Sequence, residues 1–170
     1  PYKRQLGEFL ELIVKPMKEF NGFPPCPFAA KELNLDKLMI DVIDPEETDI
    51  IKMVEKLDKS NYDSALFIQK TENEISKDET SSYQKFLNKI LKEFGYEKYR
   101  CICLNPNDPF ESDGYNIRSK SPYFLVNIVK RDFLFDANRK MKNTKYYDKM
   151  NEQYLNYLNV KRRKKWKKLW

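Results

Sequence analysis

Residues 121–130 read Ser121-Pro122-Tyr123-Phe124-Leu125-Val126-Asn127-Ile128-Val129-Lys130, and the fold depends on whether they coil or extend. Ser followed by Pro is a helix-start signal. The hydroxyl can accept from free N–H groups, and Pro fits the first helical position because the N–H it lacks would have no partner there. Phe124, Val126, Ile128 and Val129 pull the other way, since aromatic and β-branched side chains suit a pleated strand. With the cap signal weighted above the strand residues, a helix is expected from Pro122.

The preceding segments alternate. Leu38 to Ile43 is a short, partly β-branched apolar run that reads as a buried strand. Asp44-Pro45-Glu46-Glu47 then starts a helix with an apolar face of Ile50, Ile51, Val54 and Leu57. Ala65 to Ile68 is a second strand, and a polar loop spans Thr71 to Thr80. A helix capped by Ser81 or Ser82 carries Tyr83, Phe86, Leu87, Ile90, Leu91 and Phe94 on one stripe and stops at Gly95. Tyr99 to Leu104 is the third strand. Two helices separating three strands make a βαβαβ unit, so the fold class expected is α/β: a small, mainly parallel sheet of three to four strands flanked by helices.

Toward the N-terminus, Leu6, Phe9, Leu10, Ile13, Met17 and Phe20 recur at helical spacing, with Pro16 as a break. A breaker-rich loop, Asn21-Gly22-Phe23-Pro24-Pro25, leads to Cys26-Pro27. Pro27 is placed to open a helix over 27–33, with Cys26 as its cap. Toward the C-terminus, a helix is expected from about Thr144 onward. The organisation expected is one α/β domain over 1–143 and a helical extension over 144–170.

Composition narrows the chemistry. The 170 residues contain no His, which excludes Ser-His-Asp and Cys-His catalysis and every His-containing zinc site within this chain. Three Cys, an odd number without framework spacing, point to a reducing, cytoplasmic setting. Mean hydropathy is −0.79 and the longest apolar run is four residues, so no membrane-spanning segment is expected. The net charge is +6, from 32 basic against 26 acidic residues. Seven of the basic residues, Lys161, Arg162, Arg163, Lys164, Lys165, Lys167 and Lys168, lie in a tail without an acid, so the rest of the chain carries 25 against 26. The basic character belongs to that tail, where Trp166 adds a ring that can stack on bases. Such a segment attracts nucleic acid or an acidic membrane surface.

Two further features could carry chemistry. A thiol at a helix start, Cys26, feels unpaired N–H groups and the helix dipole, which favour thiolate. The alternative is a small buried residue closing a loop. Cys101 and Cys103 are read as packing residues on opposite faces of the third strand. The loop from Asn105 follows that strand at the carboxyl edge of the sheet, where ligands collect in α/β folds. Arg118 and Ser121 could contact a carboxylate or phosphate there, with Asn105, Asp108 and Tyr123 shaping the wall. A small anionic ligand is therefore expected between Cys26 and Arg118. No metal site and no phosphate-binding glycine motif stands out.

In their order, Cys26-Pro27-Phe28-Ala29, Asn105-Pro106-Asn107-Asp108-Pro109-Phe110 and Arg118 with Ser121-Pro122-Tyr123 resemble an uncharacterised family of bacterial proteins of similar length. The likeness covers roughly 6–140. It implies an α/β fold and a site around these motifs, and no established activity. This chain departs from the family pattern in two places. Ser119 and Lys120 separate Arg118 from Ser121, and Asn127 stands where that family tends to carry His. Cys26-Pro27-Phe28-Ala29 is also similar to the active-site start of omega-class glutathione transferases, which would imply a monothiol transferase of thioredoxin fold. That fold needs a strand delivering the Cys, and 19–25 does not read as one.

Overall fold

The computed structural model describes residues 2–34, 38–43, 49–69, 77–158 and 160. In chain order the elements are α1 (Tyr2–Val14), a 3-10 turn (Lys18–Phe20), α2 (Pro27–Asn34), β1 (Leu38–Ile43), α3 (Ile50–Asp58), β2 (Ser64–Gln69), α4 (Lys77–Glu93), β3 (Tyr99–Leu104), a 3-10 turn (Arg118–Lys120), β4 (Phe124–Lys130), α5 (Arg131–Met141) and α6 (Glu152–Tyr157). Together they make an α/β fold around one four-stranded sheet.

The sheet is mixed, with strand order β1-β2-β4-β3. β1 pairs parallel with β2, whereas β4 pairs antiparallel with both β2 and β3. The expected parallel core is therefore half present. β1, β2 and β3 run the same way, as two helical crossovers require, and β4 is inserted between the last two in the opposite sense. Residues 124–130 extend rather than coil. All but Asn127 and Lys130 of this strand are buried, and a continuous apolar run covered on both faces belongs in the centre of a sheet. Ser121 starts no helix: it closes the 3-10 turn before it, and its hydroxyl donates to the Tyr123 carbonyl at 2.7 Å. Its ψ of 128° is extended, as the ring of a following Pro favours.

Strand alternation sends Ala65, Phe67, Cys101, Cys103, Val126 and Ile128 to one face, where Met53, Val54 and Leu57 of α3 and Leu87 and Leu91 of α4 cover them. Cys101 and Cys103 thus share a face, as residues two apart on a strand must, and the expectation of opposite faces is corrected. Both crossovers step the same way across the sheet, so a common hand puts α3 and α4 together. On the other face Leu66, Ile68 and Leu125 pack against Leu6, Phe9 and Leu10 of α1.

Several boundaries differ from expectation. Asp44 to Glu47 lie outside the described residues. The cap seen on α3 is Asp49, whose carboxylate accepts from the N–H of Ile51 and Lys52. α4 begins at Lys77, which places Ser81 and Ser82 inside it. Gly95 ends that helix region with φ +79°. In place of a helix from Thr144 there are turns to Met150, and then α6, capped by the Asn151 side chain. The expected division at 143 falls within a second core: Tyr146, Tyr147, Met150, Tyr154 and Leu155 are buried against Phe20, Phe110 and Ile117. Among the described residues no helix is long and apolar enough to cross a membrane.

Candidate functional site

A cleft of about 170 Å³ lies between the sheet and helices α1, α2, α5 and α6. Its floor is the sheet face opposite α3 and α4. Ser64 and Val129 supply one row of paired residues, and Leu66 with Asn127 the next. Ser64 opens β2 and Leu104 closes β3, so the cleft lies across this face of the sheet rather than past the strand ends. The expected position beyond their carboxyl ends is corrected.

The segment before α2 delivers Cys26 to this cleft. Met17 and Phe23 bridge across a turn in which Asn21 and Gly22 have φ of +55° and +83°. The Tyr146 hydroxyl donates to the Pro25 carbonyl, and the Cys26 N–H donates to Ile13 O at 2.8 Å. A turn rather than a sheet strand therefore leads into Cys26. The Cys26 sulfur sits at the first turn of α2, near the N–H groups of Phe28 and Ala29, which favour thiolate. Burial opposes them more strongly, the charge of Glu32 adds to it, and Arg118 offsets it only weakly, so the thiol is pushed up from its ordinary value. Helix-start N–H groups lower a thiol pKa and apolar burial raises it, and here burial prevails.

Arg118 lines the same cleft, but its guanidinium is engaged elsewhere. Nη1 donates to Asp108 Oδ2 at 2.9 Å and to the Cys103 carbonyl at 3.3 Å. The rings of Phe110 and Tyr157 each lie 4.3 Å from its central carbon. Both members of the pair are buried, with side-chain exposures of 6% and 3%. Asp108 therefore sits behind Arg118 as its counter-charge.

The other residues singled out from sequence do not line the cleft. Asn105 is buried, donates to Thr80 Oγ1 at 2.7 Å and accepts from the Asn107 N–H at 2.9 Å, which ties the loop to α4. Ser121 closes its own turn, and the Tyr123 hydroxyl donates to Gln5 of α1. Lys161, Arg162, Arg163, Lys164, Lys165, Trp166, Lys167 and Lys168 lie outside the described residues.

Among the polar residues of the cleft not singled out as site residues, Glu32 and Asn127 each hold an unpartnered oxygen. Glu32 is 4% exposed; its Oε2 accepts from the Ser64 hydroxyl, while Oε1 is buried without a partner. Burial is the main cause that pushes its carboxyl above the ordinary range, and the nearby Asp63 adds to it. Asn127 likewise buries Oδ1 without a partner. Each had a signal in the sequence. Glu32 falls four residues after Phe28 and so shares the inner face of α2, and Asn127 is the one amide inside the apolar run of β4.

The arrangement is thus an apolar cleft with a neutral thiol, a carboxyl biased toward protonation and an amide oxygen open to a donor. Burial keeps the thiol from being a ready nucleophile, while the raised carboxyl of Glu32 can hold or release a proton closer to neutral pH than an ordinary Glu. Comparison of the chain with protein-family models, with curated proteins and with solved structures finds no match.

Proposed function

We propose that this protein binds a small, largely apolar molecule in the cleft, held by a head group that donates hydrogen bonds to Glu32 and Asn127. The observation that supports this reading is the pair of unpartnered oxygens, Glu32 Oε1 and Asn127 Oδ1, in one cleft. A buried acceptor left unpaired costs about 1–3 kcal/mol, so an occupant supplying donors recovers that cost on binding. An apolar cavity of about 150 Å³ is enough for benzene, so the body of the ligand is a single ring or a short alkyl chain.

An anionic ligand fits this arrangement poorly. The guanidinium that would have met it is bound to Asp108, and the nearest free acceptor belongs to a carboxyl group. A primary amine or primary amide fits better: the carbonyl oxygen of an amide can also accept a hydrogen bond from protonated Glu32, and an amine pairs with the ionised form. Cys26 then serves as a polarisable wall contact beside the ligand.

The experiment compares benzylamine, benzamide and benzoate, which share a ring and differ in the head group, by ligand-observed NMR and thermal shift. Binding of benzylamine or benzamide, lost in Asn127→Leu and weakened in Glu32→Gln, is the expected result. Preference for benzoate, or binding indifferent to both substitutions, would remove the reading.

A further inference from the structure

A second concavity, larger and chemically different, runs along the outer side of α5. It has a volume of about 810 Å³, and its lining includes Arg100, Arg131, Arg139 and Lys142 against one acid, Asp132. We propose that this groove binds single-stranded nucleic acid, with Phe135 as a stacking platform and the four cations as phosphate contacts.

The placement follows from helix spacing. Arg131, Phe135 and Arg139 are four residues apart on α5 and form one stripe, rising about 6 Å per step, and Lys142 follows within the next turn. Arg100 approaches from β3. Phe135 is 70% exposed, a large aromatic surface left in water between two arginines. Arg131 is oriented by a bond from Nε to the Tyr99 carbonyl at 3.1 Å, and Arg139 meets Asp136 at 3.1 Å on the exposed side. Asp132 and Asp136 are thus the acids near the stripe, and the cations outnumber them.

Val160 also lines the groove, and the chain continues from it into the seven cations of 161–168. That segment is a poor occupant, because like charges would face each other across the groove. The four cations of the groove itself set a positive field. Its partner must carry repeated negative charge and present flat faces to a lone exposed ring. A single strand meets both needs, since every unstacked base has a face to offer and every nucleotide brings a phosphate. A lipid surface would favour apolar residues projecting into solvent, whereas Leu134, Leu158 and Val160 are half-buried in the groove and Phe135 is its one largely exposed apolar side chain.

The test uses the full chain and a fluorescein-labelled oligouridine of about 20 nucleotides, followed by fluorescence anisotropy across a salt series. None of the residues varied lines the cleft described above, so this result and that of the ring-ligand experiment are separable. Phe135→Ala should weaken binding roughly tenfold with the salt slope unchanged. The double variant Arg139→Gln, Lys142→Gln should flatten the slope of log affinity against log salt by about 1.4, two phosphates at about 0.7 each. Both variants alter exposed side chains, and unchanged melting curves verify that the fold is retained. Binding at parental strength by both variants would overturn the proposal. So would partition onto phosphatidylserine vesicles that depends on Phe135 when oligouridine binding does not.

Discussion

At Cys26 two opposing effects meet, and burial prevails over the helix dipole. The thiol is raised from its ordinary value of 9.0, so alkylation by iodoacetamide should be slow at pH 7–8 and accelerate only above pH 9. Cys101 and Cys103 have no exposed surface, so one equivalent of label is expected on the folded protein. A plateau of reactivity by pH 8 would contradict this account. Asp108 is a different case. Its carboxylate faces a guanidinium buried between two rings, and removing one member of such a pair leaves the other charged and unsolvated. Asp108→Ala should therefore destabilise the fold by about 3–5 kcal/mol in urea denaturation, with little of that loss recovered at high salt because the pair is shielded from ions.

Among the elements, those whose local signals agree were the ones legible in the sequence. β1 and β3 match their expected bounds because short apolar runs there are flanked by breakers. α2 follows from Cys26-Pro27, where cap geometry and proline point the same way. At 121–130 the signals conflict: Ser121-Pro122 marks a helix start, while Phe124 to Val129 favour a strand. Pairing with β2 and β3, which lie more than fifty and about twenty-five residues away respectively, decides it, and a local reading of the sequence contains no such information. The same limit applies to the cleft. Cys26 and Arg118 stood out by residue type and position, whereas the unpartnered state of Glu32 and Asn127 exists only once α2 and the sheet enclose the cleft. The sheet order has a measurable consequence. β4 is bonded on both sides and β1 on one, with Ile40 and Val42 exposed at 43% and 39%. Amide hydrogens of Leu125 to Ile128 should exchange at least about tenfold more slowly than those of Met39 to Val42. Equal rates would argue that β4 is not central.

For the molecule as a whole, the cleft makes stability depend on pH. Glu32 has a carboxyl pKa above its ordinary 4.5 in the folded chain, mainly through burial. Between those two values the folded state holds a proton that the unfolded state has lost, so stability must fall as pH rises from about 4.5 through the folded value and then level off. Asp41 and Asp58 act in the opposite sense, each held below its ordinary value by a lysine, Lys56 and Lys98 respectively. Their contribution is present above the unfolded value of 3.8 and is lost at lower pH. The two effects occupy different windows, acid of 3.8 for the aspartates and alkaline of 4.5 for the glutamate. Glu32→Gln keeps the size of the side chain and its acceptor for the Ser64 hydroxyl but cannot ionise. Urea denaturation of this variant should therefore lose the decline above pH 4.5 while keeping the loss of stability below 3.8, and it should exceed the parent in stability at neutral pH. If the decline survives in Glu32→Gln, the proton is held elsewhere and the cleft is not the source of the pH dependence.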